Sequence, residues 1–353
     1  MLAPCSNRIF GIFSISPEVE LHGYDTEQRA NRRAPGCDRW YIAPFFPSSS
    51  TFPRVSYASA IRKPVDPTAV ATMALLCFIW GFGHVAAKLA APGISLVMQG
   101  GLRCLIALAL LVGWARLRAI PLLERDGSLG PGLLAGVLFA TEFLFIFAGL
   151  KYTGASRMVV FIYLTPCLTA LGLHAFVPSE RLEAAKWAGI MLAFAGIAVA
   201  FWDGFAADRS SLLGDAFGVI AAALWAGTTV VIRTTKLSVV SPAKTLLYQI
   251  GTCALVLPLA SVLMGEPGVV ELTPLVWGSL LYQGAVVTFA SYLAWFWLLT
   301  RYMATRLSVF TFLTPLFGVM AGVLVLHEPI RPAFVGAVVL VGAGIYLVNR
   351  PAR

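Results

Sequence analysis

From residue 68 onwards, the sequence is a series of ten long apolar segments separated by short polar loops. Each segment approaches the roughly 20 residues that an α-helix needs to cross about 30 Å of hydrocarbon. Of all residues, 58% are hydrophobic and 12% are charged, whereas about a quarter are charged in soluble domains. The sequence therefore predicts an all-α integral membrane protein. The predicted spans are 69–89, 95–115, 131–150, 155–177, 184–202, 213–233, 243–264, 274–298, 303–326 and 332–349.

The last five segments repeat the first five at an offset of about 145 to 149 residues. The repetition is clearest in the fourth segment of each half, where 156–166 reads SRMVVFIYLTP and 305–315 reads TRLSVFTFLTP. Because five is an odd number, two copies of a five-helix unit must cross the membrane in opposite directions. Inverted repeats of this kind are typical of transporters with a central substrate site. We therefore expect ten transmembrane helices as two inverted five-helix repeats, over 68–202 and 203–353.

Residues 1–67 differ from the rest of the chain. They are rich in Pro, Ser and Arg and have no sustained hydrophobic period. This composition predicts a disordered N-terminal tail, and a start codon assigned too early would explain it equally well.

The placement of Lys and Arg predicts the orientation of the helical core. If the residues before the first span are cytoplasmic, 14 bases of the core lie on the cytoplasmic side and 5 on the other. Cytoplasmic loops carry the excess of positive charge, so we expect both ends of the core to be cytoplasmic in a bacterial inner membrane. The net charge of +9 then reflects the loops and does not indicate a nucleic-acid partner.

The residue types that usually bind metals or cofactors show no recognisable spacing in this sequence. The six cysteines and four histidines form no metal-ligand pattern, and most of the cysteines lie inside apolar segments, where they pack as small hydrophobic groups. The phosphate-binding pattern GxxxxGK[ST] is absent from the sequence, which argues against ATP-driven transport. We therefore expect no metal, no cofactor and no enzymatic activity.

Landmark residues recur in both halves. The first span contains Trp80-Gly81 and Lys88, the second contains Arg103, and the third ends in 148–152, which reads AGLKY. The later landmarks are Pro166, Glu180, Gly189 and Gly196 in the first half, and Trp225, Pro315, Glu328, Gly336 and Gly344 in the second.

Over about residues 69–349, these landmarks resemble the EamA-type branch of the drug/metabolite transporter superfamily. The resemblance implies a ten-helix secondary carrier, and many such carriers export amino acids, metabolites or toxic compounds. The chain departs from the family pattern in its long N-terminal tail, in Gly149, which is inserted into the motif that ends the third span, and in His84 and Glu142, for which the pattern has no fixed residue.

Two charged residues, Glu142 and Arg103, lie well inside predicted spans rather than near their ends. Glu142 lies near the middle of the third span, where a charge costs about 2.5–3.5 kcal/mol on insertion scales. It would therefore couple transport to protons or bind a substrate amine, or else remain protonated and hydrogen-bonded between helices. Arg103 would bind a substrate carboxylate, or brace Glu142 or a helix end.

Trp80, His84 and Lys88 are spaced by four residues and share one helical face. This stripe predicts a cavity lining, in which His84 could titrate near neutral pH. In the alternative, Lys88 reaches the interface and His84 bonds a carbonyl. Trp225 and Arg233 repeat the spacing in the sixth span, where we expect Arg233 to extend towards the membrane surface.

Pro166 and Pro315 stand at matched positions of the fourth and ninth spans and predict helix breaks, which point to a transport site. In the alternative, Thr165 and Thr314 satisfy the freed backbone groups. Tyr282 is a further polar residue within a span and a candidate for the cavity lining. Glu180 precedes a helix, where we expect a structural or gate-closing role.

The sequence thus predicts a secondary carrier that exports small organic metabolites such as amino acids or drug-like compounds, with proton exchange as its energy source. A carrier of nucleotide-sugars or triose phosphates from the same superfamily is the alternative, although only Lys88 and Arg103 would serve its phosphates. An integral membrane enzyme would need clustered catalytic groups that the sequence lacks. The expected partners are a small-molecule substrate and the lipid bilayer, and a homodimer is compatible with the sequence.

Overall fold

The computed structural model describes residues 62–153, 155–207, 212–326 and 332–350, and most of these residues lie in helices. Within these ranges no strand forms, and the only extended pairings are two isolated bridges, Lys63–Tyr302 and Ile94–Val269. The predicted disordered tail, apart from its last six residues, and Glu328 lie outside the described residues.

Among the described residues, the first half contains seven α-helices, of which four are longer than 16 residues. Their bounds are α1 Pro67–Ala90, α2 Leu96–Leu117, α3 Leu129–Gly149, α4 Ala155–Ile162, α5 Thr165–Phe176, α6 Ala184–Ala200 and α7 Trp202–Ala207. A 3-10 turn, Pro178–Glu180, joins α5 to α6.

The described part of the second half also contains seven α-helices. Their bounds are α8 Leu212–Thr234, α9 Pro242–Leu263, α10 Pro274–Leu281, α11 Tyr292–Arg301, α12 Ala304–Ser308, α13 Leu313–Leu326 and α14 Ala333–Asn349. A π-helix, Tyr282–Ser291, connects α10 to α11, and a 3-10 turn, Val309–Phe312, connects α12 to α13.

Three of the long helical segments start with the same local chemistry. Asp66, Ser241 and Thr273 are N-cap residues whose side chains accept a hydrogen bond from a backbone N–H in the first turn. Each is followed by a proline, which has no N–H to leave unsatisfied at the first helical position. These short polar-proline pairs therefore set where the apolar segments become helical.

Eight helical segments of the described chain are long and apolar enough to cross a membrane. Two further apolar helices, α6 and α14, have 17 residues each. Together these segments coincide with the ten predicted spans within a few residues, and the chain is a multi-pass helical membrane protein.

Three of the predicted spans are interrupted. The span predicted at 155–177 is divided between α4 and α5, the span at 274–298 contains the π-helix, and the span at 303–326 contains a 3-10 turn. π-Helical turns within α-helices are rare and frequent at functional sites.

The long helices pack in pairs through positions without side chains. Gly189 of α6 and Gly344 of α14 face each other so closely that a methyl group on Gly344 would lie 2.5 Å from the Gly189 carbonyl oxygen. Gly101 of α2 receives the ring of Pro258 of α9, which would come within 2.4 Å of such a methyl group. In a membrane, close packing of this kind drives helix association.

Candidate functional site

Helix α1 presents Trp80, His84 and Lys88 at the spacing that the sequence predicts to share one face. The Trp80 indole N–H donates a hydrogen bond to Ser291 Oγ at 2.7 Å, where the π-helix ends. His84 and Lys88 lie further along α1 and are exposed. The stripe is therefore anchored at Trp80 and accessible at His84 and Lys88.

Five aromatic side chains form a continuous wall beside Trp80. Neighbouring rings meet edge to face, an arrangement that is more favourable than a face-to-face sandwich. The centroid distances are 5.9 Å for Trp295–Trp80, 6.3 Å for Trp80–Tyr292, 5.9 Å for Tyr292–Phe139 and 5.2 Å for Phe139–Phe143. The wall joins α1, α3 and α11 into one lining.

The sequence analysis missed most of this wall, although one signal was available. Phe139 and Phe143 are one helical turn apart on α3, and Phe147, one turn further, stacks on Phe143 at 6.2 Å. Aromatic residues at every fourth position mark one face of a helix. That spacing alone fits lipid exposure equally well, and only the contact between Phe139 and Tyr292 shows that the face points inwards.

Arg103 of α2 joins the end of the wall. Its guanidinium carbon lies 4.8 Å from the centroid of the Phe143 ring, which is within range for a cation–π interaction. Its Nε is buried and has no hydrogen-bond partner among the described residues. Arg103 thus retains a donor that a ligand could use.

Glu142 of α3 is the acidic counterpart of Arg103 in this site. Its side chain is 4% exposed, and its Oε2 has no hydrogen-bond partner among the described residues. The charge of Arg103 acts on both Glu142 and His84, although no described ion pair joins Arg103 to Glu142. An acidic and a basic group therefore lie close together with one unused polar atom each.

The remaining candidates occupy two different settings. The Tyr282 hydroxyl donates a hydrogen bond to the Ile79 carbonyl at 3.0 Å, and its ring meets Phe82 at 5.3 Å, so Tyr282 ties the π-helix to α1. Trp225 is half-buried in α8, and no described hydrogen bond or ring contact joins it to the wall.

Both prolines follow helix breaks, as the sequence predicts, but each lies in the first turn of the next helix. Pro166 is the second residue of α5 and Pro315 the third of α13. A first-turn proline sacrifices no helical hydrogen bond. The Thr165 hydroxyl donates a hydrogen bond to the Ile162 carbonyl at 2.6 Å, so the carbonyl freed by the break before Pro166 has a local donor.

The interpretation of Arg233 as a residue that reaches the membrane surface is wrong. Arg233 is 1% exposed and forms an ion pair with Glu180, which is fully buried. The two residues are 53 positions apart in the sequence, so local sequence could not reveal the pairing.

Comparisons with known proteins agree with this architecture. The model of the EamA-like transporter family matches residues 67–202 and again residues 212–350. A crystal structure superimposes with a TM-score of 0.69 at 20% identity, covering 80% of this chain and 98% of the other.

Among curated relatives, a Salmonella typhimurium protein named "Probable amino-acid metabolite efflux pump" is 26% identical, over 79% of this chain and 96% of its own. The uncharacterised transporter YvbV of Bacillus subtilis is 27% identical, over 80% of this chain and 91% of its own. Since the family model covers both halves of the helical core, the chain belongs to the EamA-like transporter family and is a transporter rather than an enzyme.

Proposed function

We propose that this protein is a secondary carrier that exports small organic metabolites, such as amino acids or drug-like compounds, in exchange for protons. Its substrate binds among Trp80, Arg103, Glu142 and the aromatic wall. Its two halves are inverted repeats of five membrane-spanning helices, which rock about this site.

The observation that carries the proposal is the pair of unused polar atoms, Arg103 Nε and Glu142 Oε2, beside an aromatic wall. A buried polar atom without a partner costs free energy comparable to a lost hydrogen bond, so such atoms are rare unless a ligand or water completes them. A base and an acid suit a substrate that carries both charges, and aromatic rings suit its apolar part. The name of the Salmonella relative refers to a metabolite class of this chemistry.

The helix packing supports an inverted repeat. Helix α1 packs on α13, and its counterpart α8 packs on α5, the counterpart of α13. Likewise, α1 packs on the α10–α11 segment, and α8 packs on α3. The two remaining pairs, α2 with α9 and α6 with α14, each join equivalent helices of the two halves. At 1.5 Å per residue, the 17 residues of α6 and of α14 span about 25 Å, close to the hydrocarbon thickness. Counting them gives ten spans.

Matched hydrogen bonds at the starts of α1 and α8 support the same symmetry. The Tyr302 hydroxyl donates to Asp66 Oδ2 at 2.8 Å. At the equivalent place in the other half, the Thr153 hydroxyl donates to Asp215 Oδ1 at 3.1 Å. Each aspartate lies at the start of the first helix of its repeat, so the two halves repeat their contacts as well as their sequence.

Proton exchange is assigned to Glu142, with His84 as the accessible second group. The charged or titratable groups that act on the Glu142 site are Arg103 of α2, Tyr292 of α11 and Cys253 of α9. A carboxyl group that alternates between a substrate amine and a proton couples the two without a further cofactor.

The test is efflux of amino acids and metabolites from cells that express the wild type, Glu142→Gln or Glu271→Gln. Glu271 is exposed in the loop before α10, so it provides the same substitution outside the site. We expect Glu142→Gln to abolish efflux or its dependence on the proton gradient, and Glu271→Gln to behave as the wild type. Equal efflux and equal gradient dependence for all three proteins would remove Glu142 from the mechanism.

A further inference from the structure

A second polar cluster lies at the end of the helix bundle where α1 begins, and it shares no residue with the aromatic wall. It consists of Glu180 in the turn after α5, Arg233 near the end of α8 and Thr305 in the first turn of α12, and we call it the Glu180 network. Glu180 and Thr305 are 0% exposed and Arg233 is 1% exposed.

The Glu180 carboxylate is fully occupied by donors from the second half of the chain. Arg233 donates from Nε at 2.7 Å and also from Nη2. Thr305 donates from its backbone N–H at 2.8 Å and from its hydroxyl at 2.7 Å, and the Ala304 N–H donates at 3.2 Å. A single side chain of the first half thereby holds α8 and the start of α12.

The hydrogen bonds of such a network are expected to form or break together. Removing two charges from water is expensive, and their attraction compensates only when geometry is good and further hydrogen bonds satisfy the remaining groups. Separating the halves by a few ångströms would break all five hydrogen bonds together and return the charges to water. The closed and the open arrangements are therefore both low in free energy, whereas partly open arrangements are high in free energy.

The segment before α1 covers the network from outside. The Lys63 N–H donates to the Arg301 carbonyl at 3.0 Å, and Arg62 Nη2 donates to the Ser238 carbonyl at 3.3 Å. Burial and the charge of Arg233 lower the pKa of the Arg62 guanidinium to about 10. The Glu180 network and the segment before α1 thus both hold this end of the bundle together.

The matching positions on α1 differ from those of α8 in burial. Arg233 in α8 corresponds to Lys88 in α1 at the repeat offset of 145 residues. Lys88 and His84 are exposed, whereas Arg233 and Thr229, one turn earlier on α8, are buried. The pair of positions near the end of α8 is therefore enclosed, whereas the matching pair near the end of α1 is exposed.

We propose that Glu180, Arg233 and Thr305 form the gate that closes the cytoplasmic side of the carrier, and that release of Glu180 from α8 and α12 opens it. The proposal rests on the alternating-access carrier and the orientation argued above. It assigns to these three residues a role in switching between states, distinct from substrate binding at Arg103 and Glu142.

The test measures accessibility and requires no substrate. A Thr229→Cys reporter, in a background whose six native cysteines are replaced by Ser, lies one turn deeper than Arg233 on the same face of α8. Its alkylation by a membrane-impermeant maleimide is followed in inside-out vesicles. The gate variants are Glu180→Gln and Thr305→Ala, and the control is Thr234→Ala, whose hydroxyl donates, among the described residues, to the Val230 carbonyl of its own helix.

We expect both gate variants to raise the labelling rate about tenfold over the control, which corresponds to ~1.4 kcal/mol in the opening equilibrium. Thr305→Ala removes one hydroxyl and leaves the ion pair intact, so it decides the question if Glu180→Gln does not insert stably. Labelling of Thr305→Ala at the rate of the control, with unchanged thermal stability, would overturn the gate. Since no transported compound is involved, failure of the export assay leaves this result unaffected.

Discussion

Two buried glutamates of this chain are held in opposite ways. Glu180 accepts five hydrogen bonds, whereas Glu142 keeps an oxygen without a described partner. The sequence singled out Glu142 because a charge is costly within a span, and Glu180 because it precedes a helix. It could not identify the partners of Glu180, which lie 53 and more than 120 positions away.

This contrast predicts different effects on stability. Glu180→Gln leaves Arg233 buried without its counter-charge, a type of change that costs about 3–5 kcal/mol. Glu142→Gln replaces a carboxyl group that lacks a full set of partners among the described residues and should cost far less. Thermal unfolding in detergent, followed by tryptophan fluorescence, should therefore show a melting temperature several degrees lower for Glu180→Gln only. Equal losses in both variants would contradict the distinction.

A surface aspartate gives a pH-dependent prediction. Asp126, in the loop between α2 and α3, accepts a hydrogen bond from Lys244 Nζ at 2.7 Å, and this contact holds the pKa of the Asp126 carboxyl well below its usual range. The contact therefore contributes fully above the ordinary aspartate pKa of about 3.9. Its contribution is lost only as the pH falls through the lowered value.

Loss of this contact should be detectable by proteolysis. At pH 7, Asp126→Asn should increase tryptic cleavage after Arg125, because the loop loses its charged tether to α9. Glu124→Gln is the matched control, since the Glu124 side chain is exposed and its backbone carbonyl still accepts from Lys244. The protection of the wild-type loop against hydrogen exchange, corrected for the intrinsic exchange rate, should fall only as the pH drops below the ordinary aspartate pKa of about 3.9 towards the lowered one. Cleavage that is equal in both variants would show that the tether does not order the loop.

At the scale of elements, hydropathy predicted where the helical segments lie but not how they are interrupted. A membrane span must be long and apolar, and both properties can be read directly from the residue types along the segment. The π-helix depends instead on its neighbours: Gly284 packs against Ile106 of α2, and Ser291 bonds Trp80 of α1. Neither contact leaves a local signal in the sequence around 282–291.

The α6–α14 pair allows a direct test of close packing. A methyl group on Gly344 would lie 2.5 Å from the Gly189 carbonyl oxygen and 2.7 Å from the Ala193 nitrogen, both backbone atoms that cannot easily move. Gly344→Ala should therefore destabilise the protein by about 1–3 kcal/mol. Gly342→Ala, on the same helix with no atom within 4 Å of the added group, should be neutral. Identical melting temperatures for the two variants would argue against this helix pair.

At the scale of the whole molecule, the sequence predicts a repeat, and some positions that match in sequence also match in their surroundings. Cys104 of α2 and Cys253 of α9 occupy matched positions, 149 residues apart, and both are buried in the same core. The orientation of each half, however, follows from charges in the loops rather than from packing. An inverted repeat therefore requires that equivalent loops lie on opposite sides of the membrane.

Three reporter cysteines can test this requirement in spheroplasts, in the cysteine-free background. Ala91→Cys follows α1, and Val239→Cys follows α8 at the equivalent place in the second repeat. Val270→Cys precedes α10. All three positions are exposed, and the two valines are both 63% exposed. With both ends of the core cytoplasmic, an impermeant maleimide should label positions 91 and 270 at once and position 239 only after the membrane is permeabilised. Labelling of 91 and 239 from the same side would exclude inversion, and the reverse pattern would invert the orientation and move the Glu180 network to the outer face.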